Sequence, residues 1–477
     1  MNASNNKIVV INTVSNYALI AVRIVYVILI TRFLFKALGE DYYGFWSILW
    51  ALFTYVVIFN FGFGTTIQKY TAEHLFENDP LKYNKIISLI IEAYALASAV
   101  ILCIVAAGIV YIRSWTNIAG APEVFECRTA LAIFGAGIAV LFPLSTFVDI
   151  LTGLRLIYMK NAVMIMLRVA EMIGVYALIH CRAGFIPIVC YSIFVNIFFM
   201  SLLIVIAKRK IPSFRIVPHT DSAIFREIWH FSFFVYLNSL AMLITAKTDR
   251  FILSSILGLP AVSSYQIGTR LPEMSQSLSS QFQDNVIPVA ANLAKANDTR
   301  SLRAILTNGM RFSAFVSVGA SVAFFLLSGA TTQALFGVNS PEIDLICKIF
   351  LISQFVYCAV RNVPYRYLQV SQKHKQIAVI STLQAVATIA LGIIFCKRIG
   401  VVGIAWAALI PNAFFSVAVI FPMAFKKLNY SAVDIFKIYI RPLFAALPMA
   451  LFCAAAKNML GDGICSIINL MWVYLCA

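Results

Sequence analysis

The feature that most limits this chain is a succession of apolar runs, each about as long as a bilayer is thick. The first covers residues 9–35, and five more follow at 42–68, 86–112, 129–152, 161–180 and 184–207. A basic link from Lys208-Arg209-Lys210 to Arg226 leads into six others, at 228–256, 261–290, 304–332, 345–370, 377–396 and 400–425. Two shorter runs cover 442–456 and 463–477. About 20 consecutive apolar residues cross a membrane as a helix. Barrel strands would alternate apolar and polar at every second position, and these runs are apolar throughout. The reading is an all-α polytopic membrane protein of about 14 transmembrane helices.

Composition agrees. Of 477 residues, 61% are apolar and only 12% are charged, whereas soluble domains run near 25% charged. Such a chain cannot cover itself with polar surface, and its runs leave no long stretch over for a soluble domain. The first run exceeds a signal-peptide core and lacks a small-residue cleavage site, so it is expected to be retained.

The runs fall into two copies. Arg32-Phe33-Leu34-Phe35-Lys36-Ala37-Leu38-Gly39 recurs, with one extra residue, as Arg250-Phe251-Ile252-Leu253-Ser254-Ser255-Ile256-Leu257-Gly258. After each glycine, at the same 40-residue spacing, stands the aspartate of an Asn-Asp pair, Asn78-Asp79 and Asn297-Asp298. A repeat of about 219 residues is longer than a solenoid unit and fits a transporter built from two homologous helical bundles. The expected organisation is an N-lobe over 1–210 with helices 1–6, a C-lobe over 211–425 with helices 7–12, and two additional helices in 426–477.

With the N-terminus in the cytoplasm, 20 Lys and Arg fall in inner loops and seven in outer ones. The positive-inside rule then places both termini in the cytoplasm. The net charge of +17 is mainly this topology signal, and nucleic acid is a poor partner because no basic soluble face exists. The ten cysteines are scattered, without Cys-x-x-Cys or a histidine at metal spacing, so no disulfide framework, metal or cofactor is signalled.

Ten further cations lie inside the runs, against six carboxylates. A charge at the bilayer centre costs about 2.5 to 3.5 kcal/mol on insertion scales, so these cations must pair, snorkel or face a polar interior. Arg168 with Glu171, and Arg270 with Glu273, stand three apart on one helix and can pair. Arg32 and Arg250 lie near the outer ends of their helices, where they can snorkel to headgroups. Arg23, Lys247, Arg270 and Arg361 fall nearer mid-span and are expected to line a central water-filled cavity. With Arg32 and Arg250 they are the substrate-binding candidates. Asp149, Glu171, Asp249 and Glu273 are the candidates for coupling to an ion gradient, a point the sequence leaves open. Pro143, Pro272, Pro288, Pro364 and Pro411 are expected to kink their helices, and Gly62 and Gly64 to permit close helix approach.

Leu38-Gly39-Glu40-Asp41-Tyr42-Tyr43-Gly44-Phe45-Trp46 and Phe59-Asn60-Phe61-Gly62-Phe63-Gly64-Thr65-Thr66-Ile67-Gln68-Lys69-Tyr70 resemble the first helical hairpin of bacterial polysaccharide-repeat flippases of the O-antigen (Wzx) type. Asp249-Arg250-Phe251-Ile252-Leu253 with Gly258, and Tyr265-Gln266-Ile267-Gly268-Thr269-Arg270-Leu271, resemble the hairpin that opens the second half. The family often has an acidic residue at the place of Asn60, so no carboxylate role carries over there. The resemblance implies two six-helix lobes facing each other in a V, with two extra helices. It implies a bacterial inner-membrane protein that moves an undecaprenyl-diphosphate-linked oligosaccharide, the O-antigen unit of lipopolysaccharide, to the outer leaflet. It also implies membrane lipids, a polysaccharide polymerase and chain-length machinery as partners, and no catalysis.

Two rivals have stated signatures. A cation-coupled multidrug exporter of the same superfamily should favour carboxylates in its cavity, and here the balance within spans is ten cations to six carboxylates. A membrane-embedded polymerase or glycosyltransferase needs a large extramembrane loop or an Asp/His cluster, and the five histidines are dispersed.

Overall fold

The computed structural model describes residues 3–56, 60, 62–77, 80–116, 121–217, 248–295, 299–370, 374–427 and 430–460, and every regular element among them is a helix. Among the described residues ten segments are long and apolar enough to cross a membrane, and the first, Val14–Thr54, takes in most of the span expected over 9–35 and the first half of that over 42–68. The span expected over 463–477, and most of that over 228–256, lies outside the described residues. The chain divides into two compact units, Met1–Leu243 and Ile244–Ala477.

The first unit opens with α1 (Ala3–Val56), a rod broken at Gly39, which takes φ 78° and ψ −175°. A side chain at that φ would press on the next carbonyl, so glycine alone adopts it cheaply. The expected run over 42–68 is interrupted by a second left-handed glycine, Gly62. There follow α2 (Phe63–Glu77), α3 (Pro80–Val110), α4 (Ile112–Thr116), α5 (Ala121–Leu144), α6 (Thr146–Gly153), α7 (Ile157–His180) and α8 (Phe185–Lys210). Helix α1 packs along α7, α5 lies against both α3 and α8, and α2 packs on α6. A Cβ at Gly135 or Gly137 of α5 would lie 2.5 Å from Val105 or 2.4 Å from Ile193, so these glycines let α5 close on both neighbours. Tyr43, Phe45, Leu49, Phe134 and Phe185 are buried, while Leu96, Ile104, Phe125 and Phe194 stay exposed, as residues facing lipid do.

The second unit begins with α9 (248–257), closed by Gly258 at φ 87°. Its amide donates to the carbonyls of Leu253 and Ser254, which tightens the last turn. The repeated glycine of the sequence is thus the same backbone break in both copies. Helix α10 (Leu259–Lys295) occupies the place of an expected span but is too polar to count as an apolar one. Its Ser263, Gln266, Thr269, Ser275 and Ser279 are buried, and α11 (Thr299–Phe336) and α12 (Pro341–Phe355) pack against it.

Helix α12 continues through a π-helical turn, Val356–Arg361, into α13 (Asn362–Val370). After α14 (His374–Ile399), α15 (Val401–Phe414) passes through a second π-helical turn, Phe415–Ile420, into α16 (Phe421–Lys427). A proline follows each π turn, Pro364 and Pro422. In a regular helix its ring would strike the carbonyl four residues back, and the wider turn relieves that clash. Helix α17 (Ala432–Leu460) is much longer than the run expected over 442–456 and packs on α11.

Candidate functional site

The break at Gly258 makes α9 and α10 a hairpin and sets their charges side by side. The Tyr265 hydroxyl on α10 donates to Asp249, and its ring meets Phe350 edge-on at 5.4 Å. Next to this lock, Glu273 joins two arginines. Its Oε1 lies 3.7 Å from Arg250 Nη2 and its Oε2 lies 3.4 Å from Arg270 Nη1. The Arg270–Glu273 pair is the one its spacing predicts. Arg250 was expected to snorkel from a helix end, yet it is only 6% exposed, because Glu273 draws it inward across the hairpin.

Asp249 also borders a small cavity, where Thr248 and Asp249 face Thr388 of α14 across an apolar wall of Ile252, Ile389 and Ile404. The buried Thr388 hydroxyl has no hydrogen-bond partner among the described residues.

Arg361 ends the first π turn and is 7% exposed. It donates to the side-chain carbonyl of Gln384 on α14, with the rings of Tyr357 and Tyr365 at 5.9 and 5.4 Å. No carboxylate pairs with it among the described residues. A neutral amide satisfies the hydrogen bond but leaves the charge uncompensated.

In the first unit Glu171 is fully buried, held by Arg168 at 2.7 Å and by the hydroxyl of Ser192. The Arg168 guanidinium also lies 5.0 Å from the Tyr26 ring and 5.9 Å from the Trp50 ring, so α1, α7 and α8 are clasped around one ion pair. Asp149 of α6 accepts a 2.8 Å hydrogen bond from Gln68 of α2. A Cβ at Gly64 would lie 2.8 Å from the same carboxylate, so Gly64 gives room to Asp149 itself. Asn60 accepts the amide of Gly64 at 3.1 Å and the hydroxyl of Tyr94 at 2.5 Å, which fixes the start of α2 after the break.

Arg23 on α1 is exposed and has no ion pair or hydrogen bond among the described residues. Its electrostatic neighbours are two cations, Arg168 and Lys160, and Lys160 in turn feels Asp149. Lys160 stands just before the apolar run at 161–180 and so counts among the 20 inner-loop cations of the sequence, whereas in the structure it lies in the first turn of α7. Its spacing of eight from Arg168 was the available signal. Gln384 on α14 and Gln68 on α2, neutral partners of charged groups, were missed because neutral amides attract no notice in a charge count. Arg32 is half-buried on α1, and Lys247 lies outside the described residues. The structure thus brings Asp249, Arg250, Arg270 and Glu273 together in one hairpin. Arg361 stands elsewhere in the same unit, and Arg23, Asp149 and Glu171 belong to the other.

The family model described as "Polysaccharide biosynthesis protein" matches residues 29–343. Among solved structures, the lipid II flippase MurJ in an inward closed conformation is similar at 14% identity, with a TM-score of 0.72 over 98% of this chain and 97% of that one. An inward-facing multidrug resistance MATE family transporter of the MOP superfamily is similar at 13% identity, with a TM-score of 0.70 over 85% and 94%. A MOP superfamily transporter from Pyrococcus furiosus Vc1, described as having a binding pocket of reverse polarity, is similar at 12% identity, with a TM-score of 0.64 over 89% and 96%. No curated protein matches by sequence. At such identities the likeness is one of fold.

Proposed function

The chain belongs to the polysaccharide biosynthesis protein family, and on that premise we propose that it is a flippase for an undecaprenyl-diphosphate-linked oligosaccharide. It carries the repeat unit from the inner to the outer leaflet of the bacterial cytoplasmic membrane, with both termini on the cytoplasmic side. The headgroup binds from the inside, the two halves rock in alternating access, and the lipid tail stays in the bilayer.

One observation carries this reading. Arg361 is a buried membrane cation whose partners are an amide and two tyrosine rings. A cation left without a counter-charge is costly in such surroundings, and a passing diphosphate supplies that charge. Arg23, exposed and beside further cations, adds to the same preference. Lys247, Arg270, Arg250 and Arg32 complete the proposed headgroup contacts.

Ion coupling falls to Asp249 among the four carboxylates. Glu171 and Glu273 are paired with arginines, and Asp149 accepts from Gln68 as Asp249 does from Tyr265, but Asp249 also borders the cavity with two threonines. A polysaccharide polymerase and its chain-length machinery would consume the exported unit. The likeness to MATE transporters favours a second reading, a cation-coupled drug exporter, which predicts cationic rather than anionic substrates. The deciding experiment deletes the protein in its native cell and identifies what accumulates. Lipid-linked repeat units trapped on the inner leaflet support the flippase, while an unchanged lipid pool with raised drug sensitivity supports the exporter.

A further inference from the structure

Glu273 is the most accessible member of the cluster it joins. Its side chain is 39% exposed, against 8% for Arg250 and 18% for Arg270, and each carboxylate oxygen faces a different guanidinium. The two arginines are held in place behind it. Arg250 sits on α9, Arg270 on α10, and the Asp249–Tyr265 hydrogen bond fixes one helix to the other. The carboxylate therefore lies on the open side of a fixed pair of cations.

A carboxylate and a phosphate offer guanidinium groups the same pattern, a negative oxygen for each donor. Two adjacent guanidinium groups without an anion would repel each other in surroundings of low dielectric, so the empty protein needs a counter-charge there. A half-exposed glutamate can supply it and can rehydrate when it turns away.

We propose that Glu273 is a resident counter-anion, an internal stand-in for the diphosphate that the incoming headgroup displaces and that returns to Arg250 and Arg270 when the headgroup leaves. This rests on the reading that membrane arginines hold the headgroup, and adds how they release it. Exchange of one anion for another means that the two guanidinium groups are never left without a counter-charge, so binding is firm enough to admit the substrate and weak enough to let it go.

The test is titration of the full-length chain in nanodiscs with inorganic pyrophosphate, and separately with a polyprenyl diphosphate in the disc lipid. Glu273→Gln is expected to tighten pyrophosphate binding about tenfold, Glu273→Asp to stay near wild type, and Arg270→Ala to weaken binding. Unchanged or weaker binding by folded Glu273→Gln overturns the counter-anion proposal. Unchanged binding by Arg270→Ala instead overturns the arginine reading beneath it. The polyprenyl form is expected to bind more tightly than pyrophosphate, and equal affinities would assign the site to a soluble diphosphate and overturn the lipid-linked part. If Glu273→Gln does not fold, the wild type still decides. Carbodiimide labelling of Glu273, read by mass spectrometry, should rise when pyrophosphate is added, and constant or reduced labelling overturns the proposal.

Discussion

Arg361 donates its buried guanidinium to the side-chain amide of Gln384, so the hydrogen bond is satisfied while the charge stays open. Supplying that charge internally should close the site to substrate. Gln384→Glu is expected to lower transport at least as far as Arg361→Ala does, with thermal stability held or raised. Transport rates and melting curves on the two variants check this, and normal transport by Gln384→Glu would show that the open charge has no role.

Glu171 has the opposite character, fully buried between Arg168 and Ser192. Breaking a buried ion pair costs about 3 to 5 kcal/mol, and the lower end applies because Arg168 keeps 23% exposure. Glu171→Gln should therefore melt earlier, while each folded molecule keeps its transport rate and ion dependence. Loss of ion dependence at normal stability would make Glu171 a coupling residue instead.

Asp249 borders the cavity that also holds Thr248 and Thr388. Thr388→Ala is expected to abolish the response of transport to an imposed ion gradient and to leave headgroup binding intact, whereas Asp249→Asn, which also weakens the bond from Tyr265, is expected to abolish the response and to loosen the hairpin that holds Arg250 and Arg270. Proteoliposome transport with and without the gradient, beside a binding titration, separates the two effects. A full gradient response in both variants would remove coupling from this cavity.

Gly39 and Gly258 break their helices at φ 78° and 87°. Replacing either by alanine holds an L residue at a positive φ, a strain of about 1 to 3 kcal/mol. Space is not the issue at Gly39, where a Cβ would meet nothing within 4 Å, so the loss should appear as a lower melting temperature without a packing defect. Equal stability of Gly39→Ala and wild type would mean that the break can move.

The sequence made some of this legible. Hydrophobic length marks most of the helices, and the paired Arg-Phe motifs mark two equivalent breaks at Gly39 and Gly258. The Arg168–Glu171 and Arg270–Glu273 pairs followed from their spacing of three, since one helix brings such residues together unaided. Arg250–Glu273 did not follow, because it depends on how tightly α9 and α10 fold back at Gly258. Polarity misled in two places. Lys160 reads as a loop cation although it sits on α7, and α10 reads as an apolar span although its serines, threonine and glutamine are buried inside the unit. The π turn that carries Arg361 was foreshadowed only by Pro364, which by itself suggests a kink.

The most direct measurement is the leaflet-to-leaflet transfer rate of an undecaprenyl-diphosphate-linked oligosaccharide in proteoliposomes, compared between wild type and Arg23→Ala, Arg270→Ala and Arg361→Ala at equal amounts of folded protein. The account predicts a rate at least about tenfold lower for Arg361→Ala, equivalent to about 1.4 kcal/mol of lost headgroup interaction, and clear losses for the other two. Wild-type rates in all three variants would contradict it.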